Sequence, residues 1–442
     1  MGKITILANN FFENASGSIR DDAAEIITQS AKKVVQNGEK GVNYDKNIDR
    51  KPPTDIRITK VEGPFDAQGK LVDKIVLGTS YIFKATPTRK PKVTELKLLK
   101  WAIKLDDNGK DIIAGVASLN KLEGDKIIIA FKINHDFEKA KVYAFYQKAD
   151  DKVSVDLNLQ LKEVVLIVGT EQHSQTYGNK LMFPAQAVRE IKQNYSKNKY
   201  ITILIFTDGF NTQELTKIEN DAKRHNKNVR LTKINTIKQL IKYINEGNDK
   251  VKRDNVKIEI LKIFSHGLPS ILDFGLDGKN SAVQQFNISN IAELKINSFV
   301  DKPIIYSYAC RTGNSDNRLV AYAPNYKYDE ASIKLVKPEE SLAQKLSEQL
   351  NATVYAYLRR SNYTPTWIEG KDEAYKKKYT KIDDEEVSNP LKPIDWFRTG
   401  WDDALWNPDG AYALPRSGDS PGGILPNGMY KFEKGKKPIL NN

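Results

Sequence analysis

The sequence predicts a multidomain chain: an all-β N-terminal part, then an α/β region built on a mostly parallel sheet. Three observations predict it. Short β-branched runs separated by Gly, Asn and Asp turns fill residues 55–160. Continuous apolar runs alternating with amphipathic stretches fill residues 161–360. At 442 residues the chain is too long for one ordinary domain.

Residues 1–46 read as a β-rich segment with Gly and Asn turns, although the apolar spacing from Ala23 to Val35 also fits a helix. Residues 47–54, with Pro52-Pro53 and several charges, read as a linker. In 55–160 the candidate strands are Arg57–Val61, Ser80–Ala85, Leu98–Lys104, Ile127–Ile133, Lys141–Gln147 and Val153–Leu159. Turn signals at Asp107-Asn108-Gly109 and Glu123-Gly124-Asp125 space them as in an immunoglobulin-like β-sandwich. Trp101 falls mid-strand as a core anchor, and a chain with one cysteine holds such a sandwich by packing alone.

The rhythm changes at residue 161. Val164–Val168, Ile201–Phe206, Ile258–Phe264, Ile304–Ala309 and Ala352–Leu358 are apolar enough for strands buried on both faces. Helical patterns lie between them over Pro184–Tyr195, Gln213–His225, Ile237–Asn245 and Glu340–Leu350. Residues 361–442, with Trp367, Trp396, Trp401 and Trp406 and many Gly and Pro, read as an irregular aromatic-rich extension packing back on the α/β region.

Composition narrows the function classes. Hydrophobic content of 40% and charged content of 28% suit globular domains. The lone Cys310 excludes an intrachain disulfide framework and a Cys-rich zinc site, and no metal or cofactor is expected. The net charge of +13 is spread through every segment, and Lys376-Lys377-Lys378 is flanked by Asp372, Glu373, Asp383 and Asp384. That pattern is a solvated lysine-rich surface, so no nucleic-acid partner is expected. No apolar run is long enough to span a bilayer, and Met1–Ala8 has too short an apolar core for a signal peptide.

Two apolar runs each end in a chemically active residue. Ile258–Phe264 runs into Ser265-His266-Gly267, and Ile304–Ala309 into Cys310-Arg311-Thr312-Gly313, 44 residues later. That interval allows a crossover between parallel neighbours, which would bring a thiol and an imidazole to one edge of the sheet. A thiol beside an imidazole is a nucleophile pair. Taken singly, Cys310 also fits a small buried hydrophobe and His266 a loop residue. His135 and His225 read as surface residues, and His173 as a polar residue of the loop after the first sheet strand. Gly275-Leu276-Asp277-Gly278-Lys279-Asn280 lacks the spacing of a phosphate loop and reads as a hairpin turn.

The strand–Ser265-His266-Gly267 and strand–Ala309-Cys310-Arg311 motifs, in this order and spacing, resemble the caspase-like cysteine peptidases. The chain departs from the caspase pattern by Tyr308 in place of Gln and by Thr312 inserted before Gly313, which points to the wider bacterial branch. The resemblance implies a caspase-like α/β domain over 161–360, with Cys310 as nucleophile and His266 as its acid–base partner. It implies an oxyanion hole from the N–H groups of Gly267 and Cys310, with no third acidic residue required. It also implies that the strand and loops after the cysteine shape the primary pocket. Arg311, Arg359 and Arg360 would then favour an acidic side chain, with His173 and Asp208 lining the cleft. These arginines fit local carboxylate pairing or solvent exposure equally well. The polar stretch Thr312 to Pro338 resembles the processing loops of such enzymes, with Asp316, Asp329 or Glu330 as autocleavage points.

Residues 1–46 resemble β-rich adaptor segments of bacterial contractile-secretion cargo. Val61-Glu62-Gly63-Pro64-Phe65-Asp66 and Phe83-Lys84-Ala85-Thr86-Pro87 resemble β modules of multidomain bacterial proteins. These resemblances imply an effector or toxin, cytoplasmic at synthesis and exported without a cleaved signal peptide. Its partners would be a protein or peptide substrate and a secretion-apparatus or spike component. The rival expectation is a caspase-like binding or scaffold protein of a secretion apparatus that does not cleave.

Overall fold

Strands of the N-terminal part bury alternate residues, whereas the central strands of the second half are buried on both faces. A computed structural model describes residues 53–105, 111–112, 120–134, 137, 139–170, 182–276, 278–320, 326–363, 366, 406–419 and 421–441. The expectations for residues 1–46, for most of the linker, and for His135, His173, Lys376–Lys378, Trp367, Trp396 and Trp401 lie outside the described residues.

The N-terminal part is two four-stranded sheets. One has the order Ile58–Phe65, Ser80–Pro87, Lys126–Lys132, Lys121–Glu123; the other Asp111–Ile112, Lys100–Leu105, Lys139–Phe145, Ser154–Asn158. Every pair in both is antiparallel. Alternation places Tyr81, Phe83 and Ala85 inward on one strand, and they share a core with Trp101, Ile129, Val142 and Leu157. Trp101 is 1% exposed, and its indole N–H donates to Asn120 Oδ1 at 2.8 Å, so a large apolar ring is buried without stranding its donor. Removing that ring costs about 3–5 kcal/mol. The short strand Lys121–Glu123 was not foreseen, because three residues carry no readable period.

The larger sheet has eight strands. Their order is Val229–Ile234, Ile201–Phe206, Leu161–Val168, Val256–Phe264, Phe299–Ser307, Thr353–Tyr357, Met429–Phe432, Ile439–Leu440. The first six run parallel, and the last two are added at one edge, each paired antiparallel to the strand before it in the order. The chain starts in the middle at Leu161–Val168, builds outward through two strands, then returns to build the other way. The order therefore reverses between Leu161–Val168 and Val256–Phe264, and in open α/β sheets ligand sites lie beyond the strand C-termini at such a reversal.

Helices cover both faces. Val165, Ile167, Leu204 and Phe206 pack with residues of the Ile237–Glu246 and Leu342–Leu350 helices. Val164, Leu166, Val168, Ile203 and Ile205 pack with the Met182–Asn194 and Thr212–His225 helices on the other face. Helix starts are marked in the sequence. Asn211 Oδ1 accepts from Glu214 N, and Thr236 Oγ1 from Gln239 N, each within a reciprocal capping box. Gly247, at φ 75°, ends the second of these helices where a side chain would collide with Val251.

Three expectations are corrected. The edge strand Val229–Ile234 is additional, and its sequence mixes polar with apolar residues because only one long side is paired. Part of the C-terminal extension is regular: Met429–Phe432 and Ile439–Leu440 complete the main sheet, and Phe432 is fully buried in its core. His225 is not a free surface residue. Its ring is 13% exposed and meets the Pro408 carbonyl and Asp409 Oδ1, both at 3.2 Å.

Candidate active site at the Cys310 and His266 strand ends

Register brings the two residues to one level. Ile263 of Val256–Phe264 is the pairing partner of Ser307 of Phe299–Ser307, and Tyr308 N donates to Ile263 O at 2.9 Å. His266 and Cys310 each lie three residues beyond that matched pair. After the strand, the chain at His266 turns into a small antiparallel rim sheet of His266–Leu268, Ile271–Asp273 and Gln285–Asn287.

Gly267 locks the two ends together. A Cβ built there would stand 2.3 Å from the Cys310 carbonyl oxygen and 2.9 Å from both Cys310 N and Ala309 Cβ. No side chain fits in that space, so glycine is required by close approach of two backbones.

Cys310 is half-buried. Ser361, just past the end of the Thr353–Tyr357 strand, holds its sulfur. The Ser361 N–H donates to Sγ at 3.3 Å, and Ser361 Oγ lies 3.4 Å away. Ser361 is itself paired: Ser361–Asn362 forms a two-stranded antiparallel ribbon with Arg416–Ser417, and Gly418 N donates to Arg360 O at 2.6 Å. The edge beside the sulfur is thus occupied by a strap from the chain's own C-terminal part.

An aromatic wall backs the imidazole. Phe183 meets the His266 ring edge-to-face at 5.2 Å and Tyr363 in the same manner at 5.0 Å. The Tyr363 hydroxyl donates to the Tyr308 carbonyl at 3.0 Å, tying this wall to the segment that carries Cys310. Burial raises the Tyr363 phenol well above its ordinary pKa, so it is a neutral donor.

The remaining candidates are placed differently. Arg311 has left-handed backbone, φ 58°, and a buried guanidinium whose Nη1 donates to Leu319 O at 2.8 Å. Burial lowers its pKa. Arg359 directs its Nη2 to the carbonyls of Gly423 and Leu425. Each guanidinium thus donates from one nitrogen to the chain's own carbonyls. Arg360 is half-buried beneath the strap. Asp208 is engaged too: Oδ2 accepts from Asn280 Nδ2 at 2.7 Å and Gln284 Nε2 at 2.8 Å, so it braces the rim connection. Of the three autocleavage points, Asp316 is buried and bound by Arg318 and Tyr328, Asp329 caps a turn at Ser332, and Glu330 is exposed.

Sequence reasoning passed over Asp273. It is fully buried and lies directly opposite His266 in the rim hairpin. The readable signal was a carboxylate set between Leu272 and Phe274, both buried. Burial raises its pKa, while hydrogen bonds from Gly275 and Gln285 and the charge of His266 act the other way. Among the described residues, no group of three His, Cys, Asp or Glu side chains could hold a metal ion.

No family model and no curated protein matches this chain. Among solved structures, it is similar to the cell-surface chitinase ChiW of Paenibacillus sp. str. FPU-7 at 11% identity, over 65% of this chain and 26% of that one, with a TM-score of 0.18. A putative alpha-galactosidase/melibiase of Bacteroides fragilis NCTC 9343 is similar at 12% identity, over 57% of this chain and 53% of that one, with a TM-score of 0.14. The chain thus spans about a quarter of the first and half of the second, and scores this low carry no argument about fold or activity.

Proposed function

We propose that the chain is a cysteine endopeptidase using a Cys310–His266 dyad on a caspase-like α/β domain, preceded by an immunoglobulin-like sandwich. The observation that carries the reading is the close approach of Gly267 to the Cys310 peptide at matched strand ends. Cys310 gives its proton to His266 and attacks a peptide carbonyl, forming a carbon–sulfur bond. The Gly267 and Cys310 N–H groups stabilise the oxyanion. The C–N bond then breaks, and His266 returns the proton to the leaving amine. Water, deprotonated by His266, hydrolyses the thioester and frees the thiol. Profiling the full chain against a peptide library, beside Cys310→Ala, tests this. Cleavage in wild type alone is the expected result; identical profiles would exclude it.

The β modules and the resemblance to secretion cargo support an exported bacterial effector acting on a protein target. Among the described residues no helix is long and apolar enough to cross a membrane.

One observation favours a second reading, a binding or scaffold protein that does not cleave. The Arg416–Ser417 strap already pairs the strand edge beside Cys310. Under the peptidase reading this is a resting form whose strap must yield to substrate. The two readings separate on whether strap-loosening variants gain cleavage.

A further inference from the structure

We propose that Asp273 is the positioning residue of His266, holding one imidazole nitrogen so that the other faces Cys310. This inference deepens the peptidase reading of the same site and rests on it.

Three residues form one row across the rim sheet. His266 pairs with Asp273, and Asp273 pairs with Gln285 on the next strand. Residues directly opposite in antiparallel strands project from the same face, with Cβ atoms about 4.5–5.5 Å apart. The side chains of His266, Asp273 and Gln285 therefore project from one face of the rim sheet.

The carboxylate is clamped by three neighbours, of which Gln285 lies on the strand opposite to that of His266. Gln285 Nε2 donates to Oδ2 at 2.9 Å, Gly275 N donates to Oδ1 at 3.0 Å, and Ser281 Oγ is 3.5 Å from Oδ2. All three donors are neutral. Asp273 is 0% exposed, and a buried carboxylate without a cation is costly. The charge that acts on it favourably is His266. Titratable groups near this pair include Cys310, whose peptide abuts Gly267, Tyr363, which packs on Phe183 behind the imidazole, and Asp208, whose carboxylate is held by Asn280 and Gln284.

An imidazole serving as acid and base needs a fixed tautomer and a partner for its charged form, and a buried carboxylate supplies both. Asp273 is the residue that the register sets opposite the imidazole. Phe183, packed edge-on, restricts ring rotation but contributes no acceptor.

The test uses the full chain with 15N-labelled histidine, the His266 signals being assigned by their loss in His266→Ala. Wild-type His266 is expected to show one fixed tautomer, and averaged ring-nitrogen shifts would overturn the proposal without any variant. In Asp273→Asn, and in Asp273→Ser should the first fail to fold, the His266 titration midpoint should fall by about one pH unit, a tenfold change in proton affinity. Asp273→Glu should recover part of that shift. An unmoved midpoint in a folded variant overturns the role of Asp273. Iodoacetamide labelling of Cys310 in the same samples reports separately on the dyad. Labelling indifferent to His266→Ala removes the peptidase reading and this role with it, whereas labelling that depends on His266 but not on Asp273 removes the role alone.

Discussion

Gly267 lies against the peptide of Cys310 so closely that a single methyl group would stand 2.3 Å from the cysteine carbonyl oxygen. The contact joins residues 43 positions apart and fixes where the imidazole-bearing loop sits relative to the sulfur.

Gly267→Ala should therefore be disruptive beyond its size. The inserted methyl meets backbone on two sides, so the loops must separate. The expected cost is about 1–3 kcal/mol in stability, typical of overpacking, together with loss of rapid Cys310 labelling. Urea denaturation and timed alkylation measure the two effects. A variant that labels like wild type would show that the contact does not control the site.

Loosening the strap should act in the opposite direction. Gly418→Pro removes the N–H that donates to Arg360 O at 2.6 Å. Losing one such bond, about 1 kcal/mol, corresponds to about a fivefold increase in strap opening. Cys310 labelling should accelerate by a similar factor. Slower labelling would mean that the strap supports the site rather than covering it.

A buried ion pair at the other end of the sheet separates stability from chemistry. The Glu163 carboxylate accepts from Arg253 Nη1 at 2.6 Å, Thr202 Oγ1 at 2.6 Å and Tyr243 OH at 2.7 Å, and both charged residues are buried. Glu163→Gln leaves a buried guanidinium without its counter-charge, at an expected cost of about 3–5 kcal/mol. The urea midpoint should fall while the labelling rate of the folded fraction stays at the wild-type value. An unchanged midpoint would contradict the network's structural role.

The N-terminal sandwich should carry an acid-sensitive contact. Paired hydrogen bonds from Arg89 hold the Glu95 carboxyl down at about 2, against an ordinary 4.5. Because the folded-state value is depressed, the stabilisation is fully present above about pH 4.5 and is lost as pH falls towards 2. The stability difference between wild type and Glu95→Gln should shrink to nothing across that window. A difference that persists at the acid end would point to packing instead.

How far the sequence was legible follows from what each element buries. Strands such as Ile201–Phe206 are covered on both faces, so their apolar runs stood out. The pairing of Ile263 with Ser307 was implicit in two such runs ending in His266 and Cys310. Val229–Ile234 was hidden because an edge strand tolerates Arg230, Thr232 and Lys233. The rim strands are three residues long, too short for alternation to register, so Asp273 went unnoticed just before the Gly275–Asn280 turn. Met429–Phe432 was obscured by flanking glycines and by its pairing to a strand some 70 residues earlier. The inward turn of Arg311 and Arg359 was unreadable, because their acceptors are main-chain carbonyls of residues distant or unremarkable in sequence.

The central claim is that Cys310 and His266 act as one unit, and the rate of Cys310 alkylation measures it most directly. Iodoacetamide should modify the wild-type thiol rapidly near neutral pH, with the rate falling by at least about tenfold in His266→Ala. Equal rates in the two proteins, read by intact mass on the folded chain, would contradict it.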